Sequence, residues 1–167
     1  MEESGVDTEE KRVYAHITEF STFGVFGEAP ANFEEWMANQ PSMFQAPEEL
    51  QDPGDTPAGD GVENLLKYAL GVPPMESAAG SLPVAKIEEA EGKEYLTLSF
   101  DKNPYAAGIE YTVEISSDFE QWESGAGNVD IIEETGARMT ARDAIPVGDE
   151  ERRSMRLLVN PIEEAHP

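Results

Sequence analysis

The spacing of apolar residues splits the chain into a front part with two helical patterns and a rear part of period two. From residue 82 onward apolar and polar positions alternate, as in half-buried strands. A strand is expected from Leu82 to Ile87. Leu96, Leu98 and Phe100 face one way, and Tyr95, Thr97 and Ser99 the other. Ile109, Tyr111, Val113 and Ile115 alternate with Glu110, Thr112, Glu114 and Ser116. Shorter strands are expected over 129–133 and 137–142. A last one, over 153–160, puts Met155, Leu157 and Val159 on one face. Turn-forming runs separate them: Asp101-Lys102-Asn103-Pro104, Ser124-Gly125-Ala126-Gly127 and Val147-Gly148-Asp149. Strands at this spacing imply a small antiparallel sandwich of six or seven strands.

Ahead of the strands, Phe33, Trp36 and Met37 share one face of a short helix. Asn32 suits its N-cap, Glu35 the capping-box position, and Pro41 the stop. The run DGVENLLKYALG at 60–71 places Val62, Leu65, Leu66 and Ala69 in the i, i+3, i+4, i+7 pattern of a second helix. Asp60 is the expected N-cap and Glu63 its capping-box partner. Gly71 suits the position after the helix, and Pro73-Pro74 block continuation. Between the helices, Pro41, Pro47, Pro53, Pro57, Gly54 and Gly59 make an irregular stretch. Residues 1–12 are polar, acidic and without period, and are expected to be disordered. Residues 13–26, VYAHITEFSTFGVF, read as one long strand or two short ones, with Val13, Ala15 and Ile17 on one face.

The expected class is therefore α+β, mostly β: a small antiparallel β-sandwich preceded by two short helices and an N-terminal strand segment. The expected organisation is a disordered 1–12, a strand segment over 13–27 that closes this unit or an upstream β-domain, and a linker over 28–81 carrying both helices and an acidic loop. The sandwich follows over 82–161, with a tail over 162–167.

Composition narrows the function classes. The 167 residues hold 35 acids against 11 bases, a formal net charge of −24. Such a chain is repelled by phosphates, which argues against nucleic acid and anionic membrane surfaces as partners. The acids are spread out: 11 in residues 1–50, 9 in 51–100 and 15 in 101–167. That pattern describes a solvated acidic surface rather than an acidic tail, or a surface that recruits divalent cations. There is no cysteine, so disulfides, thiolate zinc sites and thiol nucleophiles are excluded. No run of about 18 apolar residues exists to span a membrane. The acidic start, MEESGVDTEEKR, lacks the apolar stretch of a secretory signal.

The best candidate for chemistry is the acidic loop with Asp52, Asp55 and Asp60. Calcium takes six to eight oxygens from carboxylates, carbonyls and water, and a glycine permits the sharp turn such loops need. Counting Asp60 as the fifth position of a calcium loop, the first and third are Thr56 and Ala58, and the twelfth, normally a bidentate acid, is Lys67. A standard EF-hand loop is therefore absent. An expanded loop using Asp52, Asp55 and Asp60 remains a candidate, against the plainer reading of a helix cap and turn residues. Trp122, Tyr105 and Trp36, with Tyr111, are candidates for a sugar-stacking platform; packing at the sandwich edge is the plainer role for Trp122. His16 and His166 are the only histidines, and neither sits in a metal-binding spacing. Ser21 lacks the glycine-flanked elbow of serine hydrolases. The segment GAGN at 125–128 lacks the lysine and helix of a phosphate loop. No residue is assigned a catalytic role. A carboxylate pair acting as a hydrolase needs two acids across a cleft, which counting alone does not exclude.

Four segments in order carry a family resemblance: FEEW at 33–36, GDGVENLLKYALGVPP at 59–74, YTVEISSDFEQW at 111–122 and RRSMRLLVNP at 152–161. Over about residues 32–161 the chain resembles the C-terminal module of large exported proteins of Verrucomicrobia and related bacteria. Those modules carry a DGxxNLLEYALG-like segment, then a β-rich unit with a VExSSDLxxW hairpin and a terminal RLxV strand. The resemblance implies a non-catalytic structural or attachment module on a larger exported or cell-surface protein. Its partners would be other domains of the same polypeptide or cell-surface components. A carbohydrate-binding module supported by calcium and a carboxylate hydrolase fragment are the rival readings. The acidic segment resembles the calcium loops of thrombospondin type 3 repeats and dockerins, of which only Asp60, Gly61 and Asn64 match here. The front segment HITEFSTFGVFG at 16–27 resembles the closing strand of another exported β-domain. Glu19 stands where self-cleaving ZU5-type strands carry histidine, so cleavage between Phe20 and Ser21 is not expected. This segment implies that the chain is the tail of a longer protein.

Overall fold

The computed structural model describes residues 32–148 and 152–162, together with the backbone of two short strands near the start. Those strands, β1 (Ser4–Asp7) and β2 (Arg12–Ala15), pair antiparallel as a hairpin. β1 falls in the stretch expected to lack order. β2 overlaps the start of the expected 13–26 strand segment. The rest of that segment, with His16 and Ser21, and also His166, lie outside the described residues.

Helix α1 (Phe33–Ala38) begins as its sequence predicts, with the Asn32 side chain accepting the Glu35 N–H at 2.9 Å. Two single 3-10 turns, Pro41–Met43 and Glu48–Leu50, shape the proline-rich stretch. Helix α2 (Asn64–Leu70) starts four residues after Asp60, so Asp60 is not its N-cap and Glu63 makes no capping bond. Gly59 and Gly61, on either side of Asp60, take φ of +68° and +74°, a left-handed backbone that does not continue into a helix, and the Asp60 side chain accepts the distant Ala78 N–H instead. At the other end Gly71 is left-handed, as expected. Its N–H donates to Tyr68 O at 3.2 Å, and the Val72 N–H to Lys67 O at 2.8 Å, the paired bonds of a Schellman stop.

All six strands expected from the alternating pattern form. β3 (Val84–Ala90), β4 (Lys93–Asp101), β6 (Val129–Glu134) and β7 (Arg138–Asp143) make an antiparallel sheet in the order β3-β4-β7-β6. β5 (Ile109–Ser116) and β8 (Ser154–Pro161) pair with each other as a second sheet. The inner faces meet in one core: Leu98 and Phe100 of β4, Met139 and Ala141 of β7 and Val129 of β6 pack with Val113 and Ile115 of β5. Val62, Leu70, Val72 and Ala78 belong to the same cluster, so α2 and its flanks are built into the sandwich.

The inward face of β5 and β8 continues past this core into a second cluster. There Ile109 packs with Trp36, Met37, Met43, Tyr68 and Ala69, and Val159 borders them. Tyr111 touches both clusters and forms the seam. Period-two alternation on one strand thus serves two cores in sequence.

Candidate functional site

The acidic loop is organised around a lysine. Lys67 lies on α2, which is buried around most of its circumference, and its side chain is fully buried. Its ammonium donates to Pro74 O at 2.9 Å and Glu76 O at 2.8 Å, and stands 3.2 Å from Asp60 Oδ1. Asp60 also accepts the N–H of Val62 through Oδ1 and of Ala78 through Oδ2, at 3.1 and 2.8 Å. These contacts, led by the Ala78 N–H, draw its carboxyl down from 3.8 to about 2. Asp60 therefore ties the loop before α2 to the segment after it, and Lys67 supplies the positive charge.

Asp52 and Asp55 do not join this centre. Asp55 Oδ2 accepts the N–H of Asp52 at 2.8 Å, a local turn contact. Asn64, fully buried, donates through Nδ2 to Leu50 O and Asp52 O, each at 3.0 Å, and holds the loop to α2. Among the described residues no three His, Asp or Glu side chains gather as a metal-holding group.

Of the four candidate sugar-stacking aromatics, Tyr111 lies at the seam of the two cores and the other three lie in separate settings. Trp36 is a core residue, 7 % exposed, with ring centroids 5.8 Å from Phe33 and 5.3 Å from Tyr68. This corrects its assignment as a ligand platform: its faces are covered by α2 and its own helix. Trp122 is half-buried at the sandwich edge. The Arg156 guanidinium lies 4.0 Å from its ring centroid, and Arg156 also pairs with Glu114 at 2.7 Å. Tyr105 is exposed, in the connection between β4 and β5.

That connection closes the end of α2. Ala69 O accepts the Asn103 N–H at 2.8 Å and the Tyr111 hydroxyl at 2.8 Å; Tyr68 O accepts Asn103 Nδ2 at 3.0 Å. In return the Tyr68 hydroxyl donates to Ala107 O at 3.0 Å and accepts the Ala107 N–H at 2.8 Å. The carbonyls that a helix end leaves unpaired are thus met by strand and loop. Burial, with a smaller contribution from Tyr68 beside it, pushes the Tyr111 hydroxyl up to about 12.

A second buried charge pair was not signalled by any motif. Asp143, at the end of β7, is fully buried and receives two bonds of 2.7 Å from Arg153, just ahead of β8. It also accepts the Ile145 N–H at 3.0 Å. The pair joins the two sheets. No sequence spacing marks it; only the fold brings the partners together.

A groove of about 800 Å³ opens between β5 and β6. Its walls include Glu110 from β5 and Asp130 from β6. Neither acid is buried, and Asp130 is held by Arg142 at 2.9 Å. Arg142 in turn lies 4.6 Å from the Tyr95 ring centroid. No helix among the described residues is long and apolar enough to cross a membrane. Comparison with family models, curated proteins and solved structures finds no match.

Proposed function

We propose that the chain is a non-catalytic structural or attachment module of a larger exported or cell-surface bacterial polypeptide. The observation that carries this reading is the use made of buried charge. Among the described residues Lys67 and Asp143 are fully buried charged side chains, and both are bound to partners that join segments of the fold. Buried groups with a chemical task are ordinarily poised toward a cleft. Here Lys67 faces two backbone carbonyls and Asp60, and Asp143 faces Arg153. The dispersed acids give the module an anionic surface suited to solubility and to cation bridging between neighbours.

The test is a fusion. The chain is appended to an exported reporter enzyme in a Gram-negative host, and reporter retained at the cell surface is compared with a reporter lacking it. Greater retention with the module is expected. Equal retention and equal reporter lifetime would remove the attachment reading. Turnover of a polysaccharide or ester substrate by the purified chain would replace it with an enzymatic one.

A further inference from the structure

We propose that the outer edge of β5 is a docking site for an extended, basic peptide segment of another polypeptide, which adds to the β5–β8 sheet as a third strand. The inference goes beyond the attachment reading and makes no use of it.

The first rung of that third strand already exists. Ile115 and Glu123 exchange both backbone bonds, N–H to O at 2.8 and 2.9 Å. The chain then turns away: Gly125 and Gly127 adopt φ of +76° and +96°, and the N–H groups of Asn128 and Val129 close back on Gly125 O. It resumes as β6 in the opposite sheet. Backbone groups alternate sides along a strand, so the N–H and C=O of Val113 and Tyr111 point the same way as those of Ile115. Among the described residues none of these four groups has a partner on that side. Unpaired backbone groups in a regular row are the template for strand addition.

The space beside them fits a strand. The groove of about 800 Å³ runs along Tyr111, Thr112 and Val113, and its far wall carries Ile131 and Ile132, 49 % and 54 % exposed. An added strand needs about 4.8 Å from its neighbour, and every second side chain would lie on that apolar wall. Charge selects the occupant. The chain carries −24, and the exposed rim residue Glu110 has no ion pair among the described residues. A second copy would bring a further −24 to the same edge, whereas a lysine-bearing strand is attracted to it.

The test uses the full chain and the capped peptide acetyl-KTVKVTVK-amide, with two control peptides. One control is N-methylated at alternate residues on the edge facing β5; the other carries glutamate in place of lysine. The expected result is binding of the parent peptide, with slowed hydrogen exchange at the Tyr111 and Val113 amides. Both controls should bind at least about tenfold more weakly. No binding of the parent at about 1 mM, or equal binding of the N-methylated peptide, would overturn the proposal. So would protection of both amides in the free chain, which would mean that its own residues cover the edge. A dimer that protects them would assign the edge to self-association instead. Equal binding of the glutamate peptide would overturn the choice of a basic partner. Each readout is made on the purified chain, so it is independent of reporter retention at a cell surface.

Discussion

Lys67 Nζ and Asp60 Oδ1 stand 3.2 Å apart, the lysine fully buried and the aspartate side chain 13 % exposed. Two carbonyls, Pro74 O and Glu76 O, complete the set of oxygens around the ammonium. The acidic loop thus has a cation supplied by its own chain, from Lys67. Removing that charge leaves three oxygens facing an apolar side chain. Lys67→Met, which keeps the length of the side chain, is expected to lower unfolding free energy by about 3 kcal/mol. Urea titration followed by tryptophan fluorescence reads the change; an unaltered midpoint would show that the ammonium is dispensable.

Asp60 makes the same centre sensitive to acid. Its carboxyl is drawn down from 3.8 to about 2, so the folded state favours the ionised form. The stability this gives is fully present above the unfolded value near pH 4 and is lost as pH falls toward 2. Asp60→Asn removes the charge and weakens the contacts with Ala78 and Lys67. The variant should be less stable than the parent at pH 6, and the gap should narrow between pH 4 and pH 2. A gap that stays constant across that range would separate Asp60 from the acid response.

Calcium has little to gain at this loop. Asp60 is engaged by Lys67, Asp55 by the Asp52 N–H, and no three acids gather among the described residues. The melting temperature is therefore expected to be the same in excess calcium and in chelator. A ligand that binds only the folded state at 100 times its Kd adds about 2.7 kcal/mol, well within reach of calorimetry. A clear rise with calcium would mean that Asp52, Asp55 and Asp60 rearrange around the metal.

Arg153 and Asp143 hold the two sheets together through a two-pronged contact, with bonds of 2.7 Å from Nε and Nη2. Arg153→Ala strands a fully buried carboxylate, and a loss of about 3 kcal/mol is expected. Arg153→Lys keeps the charge but not the fork, and should fall between the parent and the alanine variant. Equal stability of the lysine variant and the parent would show that charge alone suffices.

The strands were legible because alternation has one cause: Ile109, Tyr111, Val113 and Ile115 share an inward face, and a one-residue slip would expose all four. The caps were legible only where a single local contact decides them. Asn32 and Gly71 behave as their types predict, whereas Asp60 is drawn to Ala78, 18 residues away, and leaves α2 without its expected cap. Lys67 was hidden by its charge, since a lysine in an amphipathic pattern ordinarily marks the solvent side. Trp36 fits both the packing face of its helix and a stacking platform in the sequence; Tyr68, tilted against it with ring centroids 5.3 Å apart, decides for the core. The pairing of Asp143 with Arg153 and the open edge of β5 belong to topology, which alternation does not encode.

Tyr111 carries a prediction at the other end of the pH scale. Its hydroxyl donates to Ala69 O, and burial raises it to about 12. The folded state thus favours the neutral phenol. That stability is fully present below the unfolded value near pH 10 and is lost as pH rises toward 12. Tyr111→Phe keeps the ring stacked on Phe100, 6.0 Å between centroids, and leaves Ala69 O with the Asn103 N–H. Its cost at pH 8 is therefore expected to be modest, about 1 kcal/mol. Between pH 10 and pH 12 the parent should lose stability faster than the variant, and the two curves should converge. Ultraviolet titration of the folded parent should show a tyrosine component that ionises later than in the unfolded chain and is diminished in Tyr111→Phe. Parallel stability curves, or a late component of undiminished amplitude after the substitution, would assign the alkaline response to another residue.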